Sequence, residues 1–128
     1  MADDPRLISF RAAVERLEEA LCLPQSPVVR DSGIKRFELC FELSWKVIQS
    51  FLRDRGLDCR SPRDCFREAF SYGLITNEEV WLQMISDRNL SVHTYNEALA
   101  DQMHSRLAQY LPALSHLLEQ LQPSENTL

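Results

Sequence analysis

Residues 87–95, DRNLSVHTY, gather Arg88, His93 and Tyr95 in one short stretch. The three side chains are chemically complementary. Arg88 carries a permanent charge and a planar fork of donors suited to an oxyanion. His93 brings an imidazole, the side-chain type suited to taking up or releasing a proton. Tyr95 ends in a phenolic hydroxyl that both donates and accepts. Each residue type also has a plainer role: an arginine at a helix end caps carbonyls, a histidine near a helix start is structural, and a tyrosine packs its ring. Residue type alone leaves both sets of roles open.

Helical geometry narrows the problem. On an uninterrupted helix Arg88 and His93 would point about 140° apart, whereas Arg88 and Tyr95 would share a face. For all three to converge, the helix must end, bend or be completed by a second subunit between them. The spacing of Thr94 and Glu97 is that of a capping box, which places a helix start just after His93. A break is therefore expected where convergence needs one.

The elements that must position this stretch are all helical. There are only three glycines, alternating apolar and polar runs are very short, and apolar residues recur at steps of three and four. Leu7, Phe10, Val14, Leu17 and Leu21 predict a first helix over 5–22, ended by a loop that holds Pro24 and Pro27. A second helix is expected from Asp31 or Ser32 to just before Gly56, with Ile34, Phe37, Phe41, Ile48 and Leu52 as its stripe. Leu43, Val47 and Phe51 widen that stripe. So broad an arc suggests burial against more than one neighbour, a second subunit included, and Trp45 within it reads as packing.

Ser61, Pro62 and Asp64 read as an N-cap, a first-turn proline and a first-turn acid, giving a short helix that stops at Gly73. Thr76 with Glu79 repeats the capping box, and a helix through Trp81, Leu82, Met84 and Ile85 follows. Leu99, Met103, Leu107, Tyr110, Leu114, Leu117, Leu118 and Leu121 mark the last helix, which Pro112 should kink or interrupt. The expected class is all-α, an up-and-down four-helix bundle with one short additional helix. One domain is expected over 1–122, with 123–128 a frayed tail.

Composition bounds the function. The chain has 128 residues and a net charge of -5, which argues against coating nucleic acid by bulk attraction. Arg53, Arg55, Arg60, Arg63 and Arg67 outnumber Asp54, Asp58 and Asp64 locally, a pattern that fits a solvated surface with ion pairs or a phosphate track. Cys22, Cys40, Cys59 and Cys65 form no CxxC pair, and His93, His104 and His116 are too scattered to complete a metal ligand set. Reduced packing thiols and no metal are expected. No run approaches the length of a membrane span and no leader pattern opens the chain, so a soluble, cytoplasmic protein is expected.

RNLSVH, residues 88–93, fits the HEPN ribonuclease signature of an arginine and a histidine separated by four residues. With Tyr95 it resembles the R-x4-H-x-Y form of the HepT-type HEPN toxins, also called nucleotidyltransferase substrate-binding proteins. The similarity extends to KRFELCFELSWKVIQSFL (35–52), SPRDCFREAFSYGLI (61–75) and EVWLQMISDRNLSVHTYNEALA (79–100), so it covers most of the chain.

The resemblance implies a homodimer whose Arg88 and His93 pairs face one another across the interface and form a metal-independent ribonuclease site. His93 would move the proton and Arg88 would meet the charge that gathers on phosphorus. Asn89 would support them by orienting a phosphate or the imidazole. The resemblance also implies a cognate minimal nucleotidyltransferase as antitoxin, which uses ATP to place AMP on Tyr95; the chain itself would need no cofactor. A phosphodiester at Tyr95 would add negative charge and bulk beside Arg88. The older family name implies an alternative, a non-enzymatic substrate-binding subunit of a two-component nucleotidyltransferase.

Overall fold

Apolar residues at helical spacing, punctuated by five helix-capping side chains, organise the described residues into six α-helices. The computed structural model describes residues 4–122. α1 runs Pro5–Leu21, α2 Pro27–Arg53, α3 Pro62–Tyr72, α4 Glu78–Leu90, α5 Glu97–Leu107 and α6 Leu111–Leu121. The proposed tail at 123–128 lies outside the described residues. The all-α bundle is as expected, and the last helix is interrupted as Pro112 required. A 3-10 turn at Ala108–Tyr110 joins α5 to α6, and the proline sits in the first turn of α6, where its missing donor costs least.

Three predicted starts shift. α2 begins at Pro27, four residues before Asp31, because the Ser26 hydroxyl accepts from the Val29 amide at 3.1 Å and Pro27 fills the first helical position. Pro27 therefore belongs to the helix rather than to the loop. The cap of α4 is Asn77, not Thr76, and its side chain accepts from the Val80 amide at 3.2 Å. α5 is capped by Asn96, not Thr94, through a 3.1 Å bond from the Leu99 amide. At both α4 and α5 the carbonyl of an asparagine side chain won over a nearby hydroxyl.

α2 is the central helix and packs against α1, α3, α4, α5 and α6. The predicted stripe of Ile34, Phe37, Phe41, Ile48 and Leu52 is buried throughout. A chain of rings crosses the core: Tyr110 stacks on Phe37 at 5.4 Å, Phe37 meets Phe41, Phe41 meets Phe66 edge-on at 5.8 Å, and Phe66 meets Trp81 at 4.9 Å. Such pairs add to the area they bury. The ring chain ties the α5–α6 junction, α2, α3 and α4 into one core.

The cysteines depart from expectation. Cys59 and Cys65 are joined in a disulfide, their Cα atoms 5.0 Å apart. The turn into α3 at Ser61 and Pro62 folds the chain back on itself, which no CxxC spacing could announce. Cys40 is the buried packing thiol that was expected, and burial pushes its pKa up to about 12; Cys22 is exposed.

Candidate functional site

Arg88 sits in the last turn of α4, and its placement comes from α2. Its Nη2 donates to Glu42 Oε2, and its Cζ lies 5.1 Å from the centre of the Phe41 ring. Nη1 reaches only to 3.4 Å from Asn89 Oδ1. One helical turn back along α2, Glu38 meets a second group: Ser91 Oγ contacts Glu38 Oε2 and lies 2.7 Å from the Arg88 carbonyl. The single hydroxyl hydrogen serves either acceptor. Glu38 and Glu42 thus grip the end of α4 at two points.

The residue before Arg88 grips it from the opposite side. Asp87 is 2% exposed, and its carboxylate accepts from Arg106 Nε at 2.9 Å, from Arg106 Nη2 and from the Tyr110 hydroxyl. The bond to Asp87 raises the Arg106 pKa, while burial, aided by the neighbouring carboxylate, raises that of Tyr110. The end of α4 is therefore held to α2 through Arg88 and Ser91, and to the α5–α6 junction through Asp87.

α4 ends at Leu90 and passes into a 3-10 turn, Ser91–His93, so the helix breaks between Arg88 and His93 as the spacing required. The break does not bring all three motif residues into contact within one chain. Arg88, Asn89, Ser91 and Val92 line an open groove with Glu38 and Glu42. His93 and Tyr95 form a separate pair: the Tyr95 hydroxyl lies 3.5 Å from His93 Nδ1, and the rings meet edge-on at 6.0 Å. Tyr95 is 83% exposed and Val92 71%. Thr94, the expected cap, instead bonds back to the Ser91 carbonyl at 3.0 Å and tightens the turn.

Sequence reasoning missed Glu38, Glu42, Asp87, Arg106 and Tyr110. Glu38 and Glu42 stand four apart on α2, but Arg30, Asp31, Lys35, Arg36 and Lys46 punctuate the same helix, so their spacing alone does not single them out. Nothing local marks Asp87 for Arg106 and Tyr110, nineteen and twenty-three residues away.

The arginine-rich segment is partly self-satisfied. Arg60 pairs with Asp58 at 3.0 Å. Arg55 lies 3.6 Å over the Phe51 ring and donates to the Tyr72 hydroxyl at 3.0 Å. Trp45, read as packing, is half-buried, and its indole donates to Glu42 Oε1 at 3.2 Å. Among the described residues no three or more histidine, cysteine, aspartate or glutamate side chains cluster as a metal site would need. No helix among them is long and apolar enough to cross a membrane.

The chain is thus an all-α bundle that carries Arg88, His93 and Tyr95 around a broken helix. The family model described as nucleotidyltransferase substrate binding protein like matches residues 5–123, and the chain belongs to that family. It is 30% identical over 106 residues, 76% of this chain and 73% of the relative, to a Haemophilus influenzae protein named "Probable ribonuclease HepT". A crystal structure from Thermus thermophilus is similar at 39% identity and a TM-score of 0.84, over 89% of this chain and 99% of that one. A Shewanella oneidensis HEPN toxin, solved tri-AMPylated in complex with an MNT antitoxin, is similar at a TM-score of 0.75 over 91% of this chain and 93% of that one. At 19% identity that last likeness is one of fold.

Proposed function

We propose that this chain is the toxin of a type II toxin–antitoxin pair, a metal-independent ribonuclease completed in a homodimer and silenced by AMP transfer to Tyr95 from a partner nucleotidyltransferase. The observation that carries the reading is the exposed Tyr95 phenol resting 3.5 Å from His93 Nδ1, one turn beyond a guanidinium held at the end of α4. A modifying enzyme can reach that phenol, and anything placed on it crowds the imidazole.

With Nδ1 turned to Tyr95, Nε2 of His93 is left for the 2'-hydroxyl of RNA. As base it takes the hydroxyl proton, the oxygen attacks the adjacent phosphorus to form a 2',3'-cyclic phosphate, and the 5'-oxygen leaves, taking a proton from water or from the imidazolium just formed. Arg88 stabilises the negative charge that builds on the phosphoryl oxygens. Arg88 and His93 belong to separate clusters within one chain, so two copies facing each other would assemble each site from Arg88 and His93 pairs. Exposed Val92, which lines the groove, and exposed Leu39, beside Glu38 in sequence, offer apolar surface for that contact. Asn89, 3.4 Å from Arg88, supports the phosphate.

Silencing follows from charge and bulk. The Tyr95 oxygen attacks the α-phosphorus of ATP in the partner's site, pyrophosphate leaves, and the phenolic proton passes to solvent or a base. The resulting phosphodiester adds a negative charge beside His93 and repels the RNA backbone. A relative named as a ribonuclease and a fold neighbour solved AMPylated with an antitoxin support this reading.

Purified wild-type protein is expected to cleave RNA, and His93→Ala to lose at least about 100-fold in rate while retaining its helical content. Co-incubation with the partner nucleotidyltransferase and ATP should stop the wild type and add AMP mass. Tyr95→Phe should stay active and unmodified. Full cleavage by His93→Ala contradicts the ribonuclease reading. The family description favours one alternative, a non-enzymatic subunit that presents substrate to the partner. That alternative predicts no cleavage by the purified chain and a nucleotide-dependent change only in the complex.

A further inference from the structure

We infer that Glu42 is the positioning residue of the Arg88 guanidinium, committing one end of it to α2 and leaving the remainder presented to an incoming RNA phosphate; the inference rests on the ribonuclease reading above. Every firm anchor of Arg88 comes from one turn of α2. Glu42 Oε2 takes Nη2, and the Phe41 ring lies beneath Cζ at 5.1 Å. Glu42 is itself held: its second oxygen accepts from the Trp45 indole at 3.2 Å. The chain Trp45–Glu42–Arg88 is thus fixed at its base by helical spacing.

What the chain leaves unused is the argument for its purpose. Nε has no partner among the described residues, and Nη1 has only the 3.4 Å contact with Asn89. The guanidinium borders the groove shared with Val92. A free arginine loses rotamer freedom on meeting a phosphate, whereas an arginine fixed beforehand has already lost it. The ion pair is a poor staple for the fold, because the side chains are 38% and 35% exposed and solvent screens them. Its consequence is geometric. Glu42 sets where the guanidinium points, and the oxyanion donors of Arg88 are aimed before RNA arrives.

The test uses the purified full-length chain and a mixed-sequence single-stranded RNA oligomer. Trp45 supplies a readout that a mere structural role would not move, because its indole shares Glu42 with Arg88, while Trp81 is buried in the aromatic core. RNA binding to the wild type should change tryptophan emission, and Trp45→Phe should abolish that change. Glu42→Ala should lower kcat roughly tenfold with a smaller change in KM, at an unchanged thermal midpoint. Glu42→Gln, which keeps an acceptor oxygen and the shape, should fall between; it carries the comparison if the alanine variant fails to fold. Wild-type kcat in both variants overturns the inference. So does a raised kcat, which would make Glu42 a competitor of the phosphate. If the wild type cleaves no RNA, the ribonuclease reading fails separately, and Glu42 is judged on affinity. Binding weakened roughly tenfold in Glu42→Ala, with the Trp45 response gone, upholds the positioning of Arg88; unchanged binding overturns it.

Discussion

Asp87 and Arg88 are neighbours that face opposite ways, and each is answered by a carboxylate or a guanidinium from elsewhere in the chain. Asp87 turns inward to Arg106 and Tyr110, and Arg88 turns outward to Glu42. Their burial differs, and so do the expected costs of losing them. Asp87→Ala strips a buried hydroxyl and a partly buried guanidinium of their acceptor, so it should destabilise the chain by roughly 2–4 kcal/mol. Urea unfolding of the two proteins measures this; a loss within error of zero would show that water replaces the carboxylate. Of the motif residues, Arg88, His93 and Tyr95 were legible from the sequence because residue types at a recognisable spacing carry the resemblance. Glu42 and Asp87 were not, because an acidic side chain on a helix looks the same whether it meets solvent or a partner from another helix.

At the scale of elements, helices were legible wherever caps and periodicity agreed. Ser61 and Pro62 predict the start of α3 correctly, while Pro24 and Pro27 together make the same Ser-Pro pair at Ser26 and Pro27 look like part of a loop. Local capping chemistry decided the matter. The contact between α2 and α5 is closer than periodicity could show: a Cβ on Gly33 would come within 3.1 Å of His104 Cδ2. Arg30, hydrogen-bonded to Asp31, Glu97 and Asp101, fastens the same seam.

The half-buried imidazole of His104 leaves Nε2 without a hydrogen-bond partner among the described residues. Its pKa is lowered, first by burial and then by the Arg30 charge, with Asp101 opposing. The unfolded chain then binds the proton more tightly than the folded one. Stability should be at its full value above the ordinary imidazole value of 6.5 and should fall as the pH drops below it, levelling once the folded-state value is passed. Denaturant midpoints between neutral and mildly acidic pH check this, and His104→Gln should flatten that part of the profile. An unaltered slope in His104→Gln would assign the dependence to other groups.

The whole molecule is a bundle built on one central helix, with a polar groove and an exposed histidine–tyrosine pair at one helix break. Leu39, 53% exposed, lies by helical spacing on the face of α2 that carries Glu42, and exposed Val92 lines the groove that Glu42 shares. If two copies meet there, Leu39→Glu with Val92→Glu should convert the dimer to monomer in light scattering and abolish cleavage, while the circular dichroism of the helices is retained. A dimer that survives both changes would move the interface elsewhere.

The sequence by itself determined the helical class, the stripe of α2, the break after Arg88 and the residue types of the motif, because periodicity, capping and short spacings are local properties. Tertiary structure decided which side chains hold Arg88 and Asp87, that Cys59 meets Cys65, and that Arg88 and His93 stay in separate clusters within one chain. Those outcomes depend on how the chain folds back and how helices distant in sequence pack across the core, and side-chain contacts of that kind leave no periodic trace.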